Sequence, residues 1–318
     1  MQVHRRLQGS FACRMTAALV VLLACALPLH AQDAKFSGQR AMDLTRQIVT
    51  FGPRYNGSEG KTRAEAYLKK FFAPETAKGW LETDAFLSGT PAGPQSMRNY
   101  IVRFPGTKPG AIVVASHYET NYPLRMTSFV GANDGACTSA ILMEMASVLR
   151  GKLVNGKLPG YSVWLVFFDG EEAVEEWTHA DSLYGSRHLA AKWQANGTLG
   201  GIKALLIADM IGDRSLNILR EQNSTPWVED VVYQAAKNTG HTANFFKSKN
   251  YIEDDHLPFV QRGVPVADVI DMDYGPHDSK HPDGWHHTPE DTLDKLSVGS
   301  LQVSGEVLME TVKLLSAK

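Results

Sequence analysis

The chain has 318 residues, 43% of them hydrophobic, which is enough to bury one full globular core. Its formal net charge of −2 argues against a nucleic-acid partner and against a polybasic membrane patch. Cys13 and Cys25 fall in the first 31 residues, so Cys137 stands alone beyond them and no intrachain disulfide is expected there.

Residues 1–31 place Arg5, Arg6 and Arg14 ahead of a short apolar run and end on small residues near Ala31. That is the pattern of a secretory signal peptide, too short for a comfortable membrane span. Residues 32–318 are then expected to form a single domain, exported to the periplasm or secreted, and monomeric. The LLAC ending at Cys25 weakly matches a lipoprotein box, but the ALPLHAQ that follows is too apolar for one, so lipid anchoring is the lesser expectation.

Residues 38–72 carry helical spacing with a break at Gly52-Pro53. WLETDAFLS alternates as a strand does, and NYIVRFPG closes a second strand at a Pro-Gly turn. AIVVASHYE is a compact β-branched run and reads as a buried strand. TSAILMEMASVLRG is a helix expected to be closed by Gly151. YSVWLVFFDG, KALLIADMIGD and VPVADVIDM are further strands, TPWVEDVVYQAAKNTG is a helix, and SVGSLQVSGEVLMETVKLL is a closing amphipathic helix. Strands alternating with helices predict an α/β fold around a mostly parallel central sheet. Ligands of such sheets sit beyond the carboxyl ends of the strands.

The polar residues at those ends form a consistent set. AIVVASHYE stops at His117, GANDGA offers Asp134, FFDGEE offers Glu171 and Glu172, ALLIADMIGD offers Asp209, and a late loop holds Trp285, His286 and His287. Nitrogen and oxygen donors in this mixture suit Zn²⁺. Each has a plainer reading: His117 as a structural histidine, Asp134 and Asp254 as helix caps, Trp285 as core, Glu175 and Glu176 as a solvated face. His179, His188, His241 and His256 are expected to be surface or structural, and Cys137 a small buried residue.

GANDGA, FFDGEEA, ADMIG and HTPEDTLDKL together resemble the M28 family of zinc aminopeptidases. TDAFLSGTPAG, ASHYET, the long EEAVEEWTHADSLYGSRHLA and EDDHLPFVQRGVPV resemble its glutaminyl cyclase branch, whose members convert N-terminal glutamine of peptides and proteins to pyroglutamate with release of ammonia. The resemblance implies a three-layer α/β/α fold with a mixed, mostly parallel sheet. It also implies one zinc held by Asp134, Glu172 and His287, with Glu171 as the general acid/base. Asp209 and Asp254 would be hydrogen-bonding carboxylates near it, and Trp285 would line the pocket. The other branch would add a second zinc on His117 and Asp209 and hydrolyse N-terminal residues, and a metal-free binding domain is a third reading.

Three positions depart from the cyclase pattern. WHHT stands where animal cyclases have WHT, which leaves His286 as an alternative ligand to His287. Glu119 replaces the usual aspartate, expected to loosen an outer contact. Asp268 occupies the place of a histidine near the pocket of animal cyclases.

Overall fold

The computed structural model describes residues 1–2 and 35–318. The leader beyond its first two residues, Cys25 included, lies outside the described residues. The helices are α1 (Gly38–Val49), α2 (Glu59–Phe71), α3 (Ala73–Thr76), α4 (Thr138–Gly151), α5 (Tyr184–Ala195), α6 (Pro226–Thr239), α7 (Leu257–Val260) and α8 (Val298–Ala317). The strands are β1 (Leu81–Thr90), β2 (Gly93–Phe104), β3 (Ala111–His117), β4 (Ser162–Phe168), β5 (Ile202–Asp209), β6 (Ile218–Glu221), β7 (Phe245–Asn250) and β8 (Val266–Ile270).

Six strands make the central sheet in the order β1-β2-β4-β3-β5-β8. β4, β3, β5 and β8 are parallel neighbours, whereas β2 runs antiparallel to both β1 and β4. The sheet is therefore mixed and mostly parallel. Its central strands are apolar without alternation because both faces are covered. Ile112, Val114, Leu165, Phe167, Leu206 and Ala208 turn to a core shared with α1, α4, α6 and α8. Their neighbours Val113, Ala115, Val166, Phe168, Leu205 and Ile207 turn to a second core, completed by Leu189 and Trp193 of α5 and Phe259 of α7. Three layers result. No described helix is long and apolar enough to cross a membrane.

Local chemistry sets several boundaries. Ser37 and Ser58 start α1 and α2 by accepting the amides of Arg40 and Lys61. Gly240, at φ +81, ends α6 in the left-handed conformation. Gly151 does not do the same for α4: it is the last helical residue, and the turn ends on Lys152, which keeps right-handed geometry. The small parallel pair β6–β7 and helix α5 add to the elements expected from the sequence.

The chain leaves β3 for β4 on one side and leaves β5 for β8 on the other. This reversal opens a crevice at the carboxyl ends of β3 and β5, the position where α/β sheets bind ligands.

Candidate active site

Every donor named from the sequence reaches this crevice. His117 ends β3, Asp209 ends β5, and Glu171 and Glu172 follow β4. Asp134 sits in the turn of residues 132–137 that leads into α4, at φ −83 and ψ 94. Its carboxylate accepts no backbone amide among the described contacts, and α4 begins after Cys137, three residues on, so the cap reading fails. One Asp134 oxygen lies 3.0 Å from His117 Nε2, and the other lies 3.4 Å from His287 Nε2. His287 Nε2 is also 3.1 Å from Glu172 Oε1, and His117 Nε2 is 3.3 Å from Asp209 Oδ1. Asp134 thus joins two donor groups, one with His287 and Glu172, the other with His117 and Asp209.

These spacings fit a metal. A tetrahedral zinc with bonds of about 2.0–2.1 Å separates its ligands by about 3.3 Å. Both His117 nitrogens, one oxygen of Asp134 and one of Asp209 are buried without a hydrogen-bond partner, which is costly unless a cation or proton engages them. His287 adopts φ +50, rare for a residue with a side chain, and this turn brings its ring onto the two carboxylates. His286 packs against it with the rings tilted by 31° and their centroids 3.8 Å apart, and also comes within 4.8 Å of the Asp134 and His287 donors. Of the two histidines, only His287 touches Glu172 among the described contacts.

The neighbours of the glutamates fix them from the backbone. Glu119 Oε1 accepts the amides of Glu171 at 2.7 Å and Glu172 at 3.2 Å. The expected loosening at Glu119 is therefore replaced by a clamp, because the side chain is long enough to reach both amides. Asp169, just upstream, is fully buried and binds Lys61 Nζ at 2.6 Å. Replacing Lys61 by methionine should leave that carboxylate buried without its countercharge, the Arg98 amide remaining as a hydrogen-bond donor at 2.6 Å, and cost about 3–5 kcal/mol. Urea unfolding would measure the loss, and a change under about 1 kcal/mol would mean that water replaces the lysine.

Behind Asp134, Asp291 accepts the amides of Asn133 and Asp134 at 2.8 and 3.1 Å and the hydroxyl of Tyr274 at 2.6 Å. Burial, then Asp134, pushes the Asp291 carboxyl up to about 7. Arg54, buried and without a carboxylate in contact among the described residues, donates to the carbonyls of Tyr118, Val130 and Gly131, tying the segment after His117 to the one before Asp134. Asn121 donates to Glu172 Oε2 at 2.8 Å. Asp291 lay within a quoted motif, but Arg54 and Asn121 carried no signal beyond being polar.

Glu171 is buried, and burial followed by the charges of Glu172, Asp254 and Asp255 pushes its carboxyl well above the usual range, against the pull of His117. Asp254 rises to about 6, through burial and then Asp209. Asp254 does not cap α7, a single turn with no side-chain cap. Asp268 is buried beside Asp254 and His256, with polar atoms of all three within 4.8 Å of one another. Trp285 is partly buried against Tyr274, ring centroids 5.5 Å apart, in an apolar cluster that includes Met210 and Ile252, close in sequence to Asp209 and Asp254. Cys137 is buried behind Asp134 with its sulfur against Asn133, as a small core residue would be.

Residues 99–312 match Peptidase family M28. The glutaminyl-peptide cyclotransferase of Bos taurus is 32% identical over 278 residues, covering 78% of this chain and 75% of that protein. That of Gloydius blomhoffii is 34% identical over 281 residues, covering 78% and 74%. The chain belongs to peptidase family M28, in its glutaminyl cyclase branch. The crystal structure of an Acidobacteriales bacterium glutaminyl cyclase superimposes with a TM-score of 0.87 at 57% identity, covering 92% of this chain and 98% of that one. Within this M28 chain, family membership and the donor set both point to zinc, and Asp134 stands at the centre of the groups able to hold it.

Proposed function

We propose that the protein is a zinc-dependent glutaminyl-peptide cyclotransferase that converts N-terminal glutamine of peptides or proteins to pyroglutamate and ammonia. The observation that carries this reading is Glu171, a buried carboxyl held high by its surroundings, next to the cluster of Asp134, Glu172 and His287. These three would hold one zinc, leaving the fourth position for substrate. Zinc, when bound, supplies Lewis-acid polarisation of the glutamine side-chain amide oxygen.

The chain's own groups handle the protons. The substrate's α-amine attacks its side-chain amide carbon, so a C–N bond forms within a five-membered ring while the bond to the amide nitrogen breaks. Nucleophile and electrophile belong to one molecule, and proximity is already supplied. Glu171 takes a proton from the attacking amine and delivers one to the departing nitrogen, which leaves as ammonia. Asp209 and Asp254 hydrogen-bond the amine and keep it directed at the amide carbon. Trp285 forms an apolar wall of the pocket. All these residues come from one chain, so the reading needs no second copy. The arginine-led apolar leader supports export to the periplasm or medium.

The attacking amine must be neutral, and its pKa is about 7.7–8.0. We expect kcat/KM to climb between about pH 6 and pH 8 as that amine loses its proton. A profile falling over this range would contradict the mechanism. The decisive assay pairs a glutaminyl peptide, followed by ammonia release and mass loss, with a leucyl peptide, followed by free leucine, on protein of measured zinc content. Ammonia with about one zinc per chain supports the cyclase. Free leucine with two zincs, the second on His117 and Asp209, would replace it by a di-zinc aminopeptidase.

A further inference from the structure

Glu221, the last residue of β6, is fully buried and grips the Asp254 segment on both sides. Its Oε1 accepts the amide of Ile252 at 3.0 Å, two residues before Asp254, and that of Asn223 at 2.9 Å. Its Oε2 accepts the Ser224 hydroxyl at 2.9 Å and lies 3.2 Å from Nε2 of His256, two residues after Asp254. The Ser224 hydroxyl in turn receives the amide of Asp268 at 2.9 Å. His256 is completely buried, and its other nitrogen, Nδ1, lies 3.5 Å from Asp268 Oδ2. A carboxylate oxygen of Asp268, one of Asp254 and a His256 nitrogen all lie within 4.8 Å of one another.

An imidazole held between two carboxyl groups has little freedom to rotate, the same logic by which an outer carboxylate orients a metal-bound histidine. Burial alone would raise Glu221, but His256 and the backbone amides bring it down to about 2, so it stays an acceptor for all its partners. Nothing in this chain of contacts touches Asp134, Glu172 or His287 among the described contacts.

Resting on the cyclase reading, we propose that Glu221 and His256 are positioning residues for Asp254: Glu221 holds the Ile252 amide before it and the His256 ring after it, and His256 in turn holds Asp268 in place next to it. The Asp254 carboxyl thereby keeps its place beside Asp209 when the substrate amine arrives. The effect acts on the transition state more than on substrate affinity, because Asp254 works on the amine as it attacks.

The test uses the full exported protein with zinc, a glutaminyl peptide, and the variants His256→Ala, His256→Asn, Asp268→Asn, Glu221→Gln and the His256→Ala/Asp268→Asn double. The expected result is a loss of about 10–100-fold in kcat for His256→Ala, with KM within about threefold and zinc content unchanged. His256→Asn, whose amide reaches the Nδ1 position, should recover part of that loss. The double variant should be no worse than about twofold below the poorer single, as residues acting in series require. If His256→Ala does not fold, Glu221→Gln and His256→Asn carry the test, and wild-type kcat in both overturns the proposal. Losses that multiply independently, or that follow a drop in bound zinc, also overturn it, because His256 would then act through the fold or the metal. A folded, zinc-bound wild type that releases no ammonia removes the cyclase reading and this inference with it.

Discussion

Replacing Glu171 by glutamine should reduce ammonia release from a glutaminyl peptide by about 10²–10⁴-fold while zinc stays bound. The amide side chain nearly reproduces the shape of the acid but neither takes nor passes the proton. The backbone at this position should hold, because Glu119 binds the Glu171 amide rather than its side chain. KM should change little, since proton transfer occurs in the transition state. The neighbouring Glu172→Gln gives the contrasting result. Glu172 contacts His287 and receives Asn121, so its replacement should lower zinc content along with activity. Steady-state kinetics beside metal analysis separates the two. Retention of more than about a tenth of wild-type kcat in Glu171→Gln would take this residue out of the proton transfer.

The site was legible because the fold puts its donors where apolar runs end. β3, β4, β5 and β8 are buried on both faces, so each reads as continuous hydrophobic sequence, and the first polar residue beyond it marks the crevice. His117, Glu171, Glu172 and Asp209 were found that way, and the motif resemblance added their assigned roles. What stayed hidden depends on contacts between distant segments. Glu221 and His256 are 35 positions apart and meet only because β6 and the Asp254 loop pack together. β6 is four residues long, and β7, FFKSKN, is largely exposed, so neither offers a hydrophobic period to read. Glu119 was misjudged for a related reason. A longer side chain suggests a looser contact only while its partners are unknown, and here the partners are two amides it can reach together.

His287→Ala should remove zinc and with it the activity, whereas His286→Ala should keep both. The two histidines are adjacent, their rings nearly in contact, and the sequence WHHT leaves their order open. Geometry separates them. His287 Nε2 stands 3.1 Å from Glu172 and 3.4 Å from Asp134, the spacing of two ligands sharing a tetrahedral ion. These carboxylates, led by Glu172, raise the His287 imidazole to about 9 against the effect of burial, so it is the ring that senses the anionic cluster. His286 is pushed down to about 4 by burial and then by His287, as expected of a ring packed behind the cluster. With Asp134 and Glu172 alone, the ion keeps two protein ligands and its only nitrogen donor is gone. Zinc per chain after dialysis is the direct readout, and thermal melting with and without added zinc is the second. Zinc at 100 times its Kd stabilises the folded state by about 2.7 kcal/mol, so the wild type and His286→Ala should melt higher with zinc, and His287→Ala should not respond. If His286→Ala instead loses the metal, the ligand shifts by one residue. The left-handed turn at His287 would then serve to place His286, and the 3.1 Å contact with Glu172 would be an ion pair of the metal-free cluster.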